Sequence, residues 1–364
     1  MNIAIVGAGL VGRVVALNLI HSKEHTITFF EKTSKEATDA AGFTAAGMLA
    51  PFAELETAES LIFDLGRRSM ELWQPLLKEV GVFDGCKLDG TIITAHPQDM
   101  SELTHFIDSL QNKVEEAKEI ERLDSMALGE LEPELEQHRK AFYIKDEGYV
   151  DAQRFMAFST NYFDRQPNVT WREFTEVGKL EAGAVYVNEE KESFDWVFDA
   201  RGLGAKEHFK ELRGVRGEVI WLESNEIDIT RPTRLLHPRY KIYIVPRGNG
   251  CEGIDLEYCK ACKLSQSSGS KRYIVGATEI ESEDRSPISV RSNMELLSAV
   301  FATHPKFGEA RIVNTESNCR PAFKDNLPRI ENEKGLTRIN GLYRHGYLLA
   351  PALVEKALNE GILK

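Results

Sequence analysis

Residues 3–20 read IAIVGAGLVGRVVALNLI. Ile3, Ala4, Ile5 and Val6 form a short apolar run of the kind that makes a buried parallel strand. Three glycines follow at once. Gly7 permits a tight turn, Gly9 lets the backbone approach a pyrophosphate, and Gly12 lets a helix pack closely on the strand. Val14, Val15, Leu17, Leu19 and Ile20 carry that helix onward. Its N-terminus offers unsatisfied N–H groups and the positive end of a dipole to phosphate. A second strand, TITFFE, ends at Glu31. An acid ~20 positions past the glycines normally takes ribose hydroxyls and disfavours a 2′-phosphate. Strand, glycines, helix, strand and terminal acid in that order predict a dinucleotide-binding unit. The alternative is a glycine-rich turn with no ligand, and the segment alone does not decide between NAD and FAD.

The bulk properties narrow the class. A chain of 364 residues predicts two domains. Hydrophobic content of 42% and charged content of 28% describe a soluble globular protein. A net charge of −12 argues against nucleic acid and anionic membrane as partners. No apolar run reaches the ~18 residues of a spanning helix. The chain opens directly on the nucleotide-type strand, without a charged and apolar leader, so secretion is not expected. Five cysteines, spread along the chain, suit a reducing cytoplasm better than a disulfide framework.

Further along, residues 36–50, EATDAAGFTAAGMLA, are small and apolar, suited to lying against a flat cofactor or to starting an Ala-rich helix. Residues 54–81 read as a helix ending at Gly81, and KLDGTIITAHPQD as two short strands or a hairpin about Asp89-Gly90. Residues 99–135 read as helical up to Pro133, and Asp151 as the N-cap of the next helix. Residues 168–202 alternate like a meander and close on the buried strand FDWVFDARG, where Ala200 and Gly202 allow a second close backbone approach. KIYIVPR and YIVGATEI predict a hairpin, residues 291–303 a helix, RIVNTESNCRPAF a strand, and the last twenty or so residues a closing helix. Between the hairpin strands, residues 251–271 hold Cys251 and Cys259-x-x-Cys262. Three cysteines without a histidine fall short of a four-ligand zinc site, so a surface loop with free thiols is the expectation.

Together, IVGAGLVG, AAGMLAPFAE, GYVDAQRF, VRGEVI, YIVPR followed by IVGAT, CRPAFKDNLP and YRHGYLLAP resemble the D-amino acid oxidase family of FAD enzymes, and within it the glycine oxidases of the thiamine-biosynthesis type. The resemblance runs nearly end to end, and a nicotinamide dehydrogenase would have neither AGMLAP nor YR-x-G-x-LLAP. It implies a Rossmann-like FAD-binding α/β domain from residues 1–85, 145–205 and 315–364, and a mixed, largely antiparallel-sheet substrate domain from 86–144 and 206–314, with the loop 251–271 inserted. It implies non-covalent FAD. Gly7, Ala8, Gly9, Leu10, Val11 and Gly12 would meet its pyrophosphate, and Glu31 with Lys32 its ribose. Phe43, Thr44, Ala45, Ala46, Gly47 and Met48 would run beside the flavin, and Val177 would hold the adenine through its backbone. Ala200 and Gly202 would lie near the dinucleotide. Arg344, His345, Gly346, Tyr347 and Leu348 would wrap the pyrimidine end of the flavin.

The same resemblance implies a reaction. A small amino acid or amine (glycine, sarcosine or a D-amino acid) would lose a hydride to the flavin, water would hydrolyse the imine, and O2 would regenerate FAD and release H2O2. Arg320 and Tyr243 would hold the substrate carboxylate, since a guanidinium grips it with two parallel bonds. Arg344 would stand behind the substrate near the flavin. Glu54 would line the entrance or be a solvated helix glutamate. Two departures from the family pattern stand out. Glu279, directly after IVGAT, puts a carboxylate where the family often has a less acidic or apolar side chain, able to meet a basic substrate or to point into solvent. Ser317, Asn318 and Cys319 replace the usual glycine approach to the clamp arginine, and related sarcosine oxidases attach flavin through a cysteine in this region. Alternatives are a same-fold dehydrogenase passing electrons to a quinone or protein, and a non-catalytic accessory flavoprotein. A homo-oligomer is possible by family analogy.

Overall fold

Six strands make the first sheet of the computed structural model, which describes residues 1–22, 24–55, 60–82, 86–237, 241–247 and 270–362. Asn2–Val6 is central. It pairs in parallel with Thr26–Phe30 on one side and Trp196–Asp199 on the other. Val169–Arg172 extends the sheet in parallel beyond Thr26–Phe30, and Leu336–Asn340 beyond Trp196–Asp199, with Arg329–Glu333 antiparallel at the edge. Ile3 and Ile5 point into a core with Val14 and Leu17 of the helix Leu10–Leu19. The helices Ser60–Val80, Ala152–Asp164 and Gly346–Glu360 complete that face, and Trp73 locks two of them together by donating to the Tyr347 carbonyl at 2.8 Å. Ala4 and Val6 point the other way, toward Leu180 and Val185 of a three-stranded meander at 179–193. Both faces of the parallel sheet are therefore covered, as its uniformly apolar first strand requires.

The second sheet has eight strands, in the order 311–322, 213–224, 271–276, 241–247, 233–236, 91–95, 140–144 and 121–124. All neighbours are antiparallel except Thr233–Leu236 beside Thr91–Ala95. Alternation divides its two faces. Ile220, Leu222, Tyr273 and Val275 pack beneath the helix Val290–Thr303, while Val219, Trp221, Val245 and Ile274 face the first sheet's side of the molecule. The helix Met100–Lys113 covers the far end through Leu103, Phe106 and Leu110.

Several expectations need correction. Of the two readings of the stretch around Asp89-Gly90, the two short strands hold and the hairpin does not: Cys86–Lys87 pairs with Gly148–Val150, whereas Thr91–Ala95 enters the eight-stranded sheet. Gly90 does turn the chain, at φ +92°, and the ring of Tyr143 fills the space where a Cβ would stand. Residues 99–135 are not helical throughout, because the edge strand Glu121–Asp124 interrupts them. Val169–Arg172 belongs to the parallel sheet rather than to the meander. The strand Arg311–Ala322 runs through the boundary expected at 315 and lies wholly in the eight-stranded sheet, held by its register with Arg213–Ser224. Cys251, Cys259 and Cys262 lie outside the described residues, as does nearly all of the expected insertion.

Candidate active site

A cleft of about 920 Å³ opens at the carboxyl ends of the parallel strands and runs to the open face of the eight-stranded sheet. This is where an open α/β sheet places its ligands. At one end lie Gly7, Gly9, Leu10, Val11, Glu31 and Lys32. Gly7 has φ +99°, and a Cβ there would stand 2.6 Å from the Ala200 carbonyl oxygen, so the turn and the second crossing strand both demand glycine. Gly12 is equally constrained, since a Cβ would come 2.1 Å from the Gly7 oxygen. Gly9 differs. Its φ of −71° suits any residue, and a Cβ would meet only Ala40 Cβ at 3.4 Å. Nothing described in the protein requires glycine there, but a ligand pressed against the backbone would.

No side chain caps the helix Leu10–Leu19 or the helix Gly346–Glu360, and the first residues of both line the cleft. Uncapped helix starts leave several N–H donors for a bound anion or electron-rich ring. Glu31 is held in place by the Ala8 N–H (2.8 Å), the Thr33 N–H and the Thr33 hydroxyl (both 3.1 Å). Between the two ends, Thr44 through Met48 form the floor. These residues fit FAD: a glycine cradle with room against its backbone, a fixed acid at the end of the second strand, and a second uncapped helix start on the same cleft.

Three residues expected at the dinucleotide do not open on the cleft. Gly12 is packed against Gly7. The Ala8 donor is already taken by Glu31. Phe43 points into the core of the parallel sheet. Every other residue named from the resemblance lines the cleft, including Val177, whose carbonyl accepts from Arg201 at 3.1 Å, and Ala200 and Gly202. Cys319 also reaches it, but its Sγ sits against the carbonyls of Ser282 (3.8 Å) and Asp284 (3.7 Å).

Sequence reading missed Arg13. It is wholly buried, and it ties the glycine turn to the helix Ala152–Asp164. It donates to the carbonyls of Ala8 (2.8 Å), Met156 (3.0 Å) and Lys35 and to the hydroxyls of Ser159 and Thr160 (2.9 Å each). Burial pulls its guanidinium down to about 10, which leaves it charged at neutral pH. Its position directly after Gly12 was the one available signal. Arg247, also unremarked, donates to the Ala46 carbonyl at 2.6 Å from between the rings of Tyr149 and Trp221.

The other end of the cleft is built from side chains. Tyr243 and Arg320 lie above backbone that is glycine on the adjacent strands: a Cβ on Gly276 would be 2.9 Å from the Tyr243 hydroxyl, and one on Gly217 would be 2.2 Å from Arg320 Nη2. Arg320 donates to the Thr278 carbonyl at 3.1 Å and, among the described residues, forms no ion pair with a carboxylate. Burial raises the Tyr243 phenol, which stays protonated and able to donate.

Arg344, by contrast, is engaged on both sides. Its Nε and Nη2 meet Glu54 Oε2 at 2.9 and 2.8 Å, and its Nη1 donates to Glu279 Oε2 at 3.0 Å. Glu279 also accepts from the hydroxyl of Tyr343, a residue held at φ +52°. Burial acts to raise the Glu54 carboxyl, but the guanidiniums of Arg344 and Arg234 outweigh it and hold it at about 2. Burial pushes the His345 ring down to about 4, so it is neutral at pH 7. Glu54 lines the cleft but is not a solvated helix glutamate. It is the enclosed counter-ion of Arg344. Beneath it lies Glu147, a second carboxyl that sequence reading missed. It is fully buried, accepts the Ala53 N–H at 3.0 Å, and is pushed up to about 7 by burial.

A model of the family described as FAD dependent oxidoreductase matches residues 2–356. The chain belongs to that family. Its members use FAD, and the cleft has the form to receive it. The Rhizobium etli protein that carries the name of a thiamine biosynthesis oxidoreductase, ThiO, is 37% identical over 355 residues, covering 97% of this chain and 94% of that one. Among solved structures, glycine oxidase from Bacillus cereus superposes with a TM-score of 0.77 at 23% identity, covering 98% of this chain and 96% of that one. Iminodiacetate oxidase from Chelativorans sp. BNC1 superposes with a TM-score of 0.76 at 19% identity, covering 98% and 94%. These two likenesses concern the fold, which is that of the FAD-dependent amine and amino acid oxidoreductases.

Proposed function

We propose that this FAD-dependent oxidoreductase oxidises a small amino acid or amine of the glycine and sarcosine type. The observation that carries the reading is the pairing of Arg320 and Tyr243 at the end of the cleft: a guanidinium with no carboxylate partner among the described residues, beside a protonated phenol, makes a receptor for one substrate carboxylate. The relative named for thiamine biosynthesis, similar over nearly its whole length, supports the same class.

In this reading Gly7, Gly9 and the start of the helix Leu10–Leu19 hold the pyrophosphate, Glu31 the ribose, residues 44–48 the flavin edge, and the start of the helix Gly346–Glu360 its pyrimidine end. FAD supplies the acceptor for a hydride from the substrate carbon that bears nitrogen. The chain's own part is placement. Arg320 and Tyr243 fix the carboxylate and so the direction of the C–H bond. Arg344, held by Glu54 and Glu279, closes the far wall and keeps its charge in one place. The cluster offers no strong general base, since Glu54 is held near 2 and is bonded to Arg344, so the substrate amine has to arrive neutral or release its proton to water. The placement of the Cys319 thiol against two carbonyls supports non-covalent FAD.

The test is anaerobic. Purified yellow protein is mixed with glycine, sarcosine, D-alanine, D-proline and a panel of D- and L-amino acids, and the flavin band near ~450 nm is followed. Bleaching by glycine or sarcosine is the expected result, and air readmitted with peroxide release separates an oxidase from a dehydrogenase. Arg320→Ala should lower kcat/KM by the equivalent of about 2–5 kcal/mol, mostly through KM. A flavoprotein that dithionite reduces but no amine or amino acid does would overturn the reading.

A further inference from the structure

The site's ion pairs suggest how it sorts substrates by charge. Ion pairs tie the guanidiniums of Arg234 and Arg344 to Glu54 and that of Arg344 to Glu279, while Arg320 forms no ion pair among the described residues and acts on Glu279 only through space. Within this set Arg320 is the guanidinium that no carboxylate pairs directly, which leaves it for the substrate. Both glutamates line the cleft, but Glu54 is enclosed, with a side chain 14% exposed, whereas Glu279 is half-exposed. Arg285, Arg291 and Glu295 also line the cleft but, among the described residues, make no ion pair with this set.

We infer that Glu279 is a specificity-determining residue that admits substrates with a single carboxylate and turns away those with a second anionic group. The inference rests on the function proposed above and goes further, to the charge of the substrate. Its logic is a matching of charges. A monocarboxylate with a neutral amine satisfies Arg320. Within the set, Arg234 stands 3.9 Å from Glu54, and Arg344 is the guanidinium beside Glu279, which occupies its Nη1 at 3.0 Å with the Tyr343 hydroxyl behind it. A dicarboxylic substrate therefore has to displace Glu279 or lie beside it, and either costs it affinity. The fold alone does not impose this choice, since a neighbour of the same fold is named for iminodiacetate, a dicarboxylate.

The test compares two amines of similar size, N-ethylglycine and iminodiacetate, which differ by one negative charge. The wild-type enzyme should favour N-ethylglycine by about 10-fold or more in kcat/KM, a modest figure for like charges a few ångströms apart. Glu279→Gln should narrow that ratio by a similar factor, through KM for iminodiacetate, and Glu279→Asp should largely preserve it. Reading a ratio within each variant cancels any general loss of activity. A wild-type ratio near one, or a ratio unmoved in Glu279→Gln, overturns the inference. Should the variant fail to fold, acetate and malonate are compared on the wild-type protein as perturbants of the flavin spectrum: tighter acetate supports the inference, and equal or tighter malonate overturns it. That comparison needs no turnover. If no amine reduces the flavin, the functional reading falls, and the charge selection is still decided.

Discussion

The two ends of the cleft are made of different materials. The proposed dinucleotide end is backbone: a glycine turn, an uncapped helix start and one fixed acid. The proposed substrate end is side chains, drawn from strands and turns far apart in the chain, with Arg344 meeting Glu54 across 290 residues. Backbone sites are specified by what must be absent, namely a Cβ. Side-chain sites are specified by which charges balance. The first kind can be broken by one methyl group, and the second has to be unbalanced.

The sharpest way to break the backbone end is to compare two of its glycines. Gly12→Ala puts a methyl group 2.1 Å from the Gly7 oxygen, a contact that only movement of the helix can relieve. It should cost the fold about 3 kcal/mol or more, read as a large fall in the urea midpoint with flavin lost as a consequence. Gly9→Ala has an ordinary φ and only Ala40 Cβ near it, at 3.4 Å. Its apoprotein should unfold at the wild-type midpoint, while FAD affinity falls about 10-fold to 100-fold. Equal effects in both assays for both variants would mean that Gly9, too, serves the protein rather than the ligand.

Arg13 blurs the contrast, because a side chain supports the backbone end. Arg13→Met fills much of its volume but removes its donated bonds, leaving the Ala8 carbonyl without the Arg13 Nε–H, while the Met156 and Lys35 carbonyls fall back on the Ser159 and Thr160 hydroxyls. Each buried acceptor left unpaired costs on the order of 1–3 kcal/mol, partly recovered by relaxation. We expect about 1–3 kcal/mol lost in denaturant unfolding of the apoprotein, with FAD binding weakened as well, since the Ala8 carbonyl belongs to the glycine turn. Stability unchanged by the substitution would mean that the turn needs no such support.

The same division explains what could be read before the structure was known. The dinucleotide end was legible because its signal is local: strand, glycines, helix and acid fall within residues 3–31. Even there, side-chain direction was not, so Phe43 was expected at the flavin and lies in the core, and Ala8 was expected to bind phosphate and binds Glu31. Local alternation also misled at Asp89-Gly90. The turn is real, but long-range pairing sends Thr91–Ala95 to Thr233–Leu236, far along the chain. At the substrate end, Arg320 and Tyr243 could be named from motifs, whereas the state of Glu54 could not. Whether it is solvated or enclosed depends on Arg344 and Arg234, and no spacing in the sequence reports their approach. Glu147, directly before the GYVDAQRF motif, stayed invisible for the same reason, since its burial comes from partners far along the chain.

Glu147 provides the smallest test, one that unbalances the substrate end from beneath. Burial pushes its carboxyl up to about 7, Glu54 adds to the rise, and Arg234 and the Ala53 N–H oppose it. In the unfolded chain a glutamate titrates near ~4.3. The folded protein therefore holds this proton more tightly, and the associated stability is fully present below that unfolded value and is lost as pH rises through 7. The whole range amounts to about 3 kcal/mol, most of it lost by pH ~8. Glu54 has the opposite sign: held at about 2, it stabilises above the unfolded value and loses that contribution as pH falls toward 2. Unfolding midpoints measured from pH 4 to pH 9 should fall between about pH 4.5 and pH 7 for the wild type, level off above pH ~8, and lose that fall in Glu147→Gln, which keeps the shape of the protonated acid without its titration. A fall over the same window that survives the substitution would assign it to another group and leave Arg234 balanced by Glu54 alone.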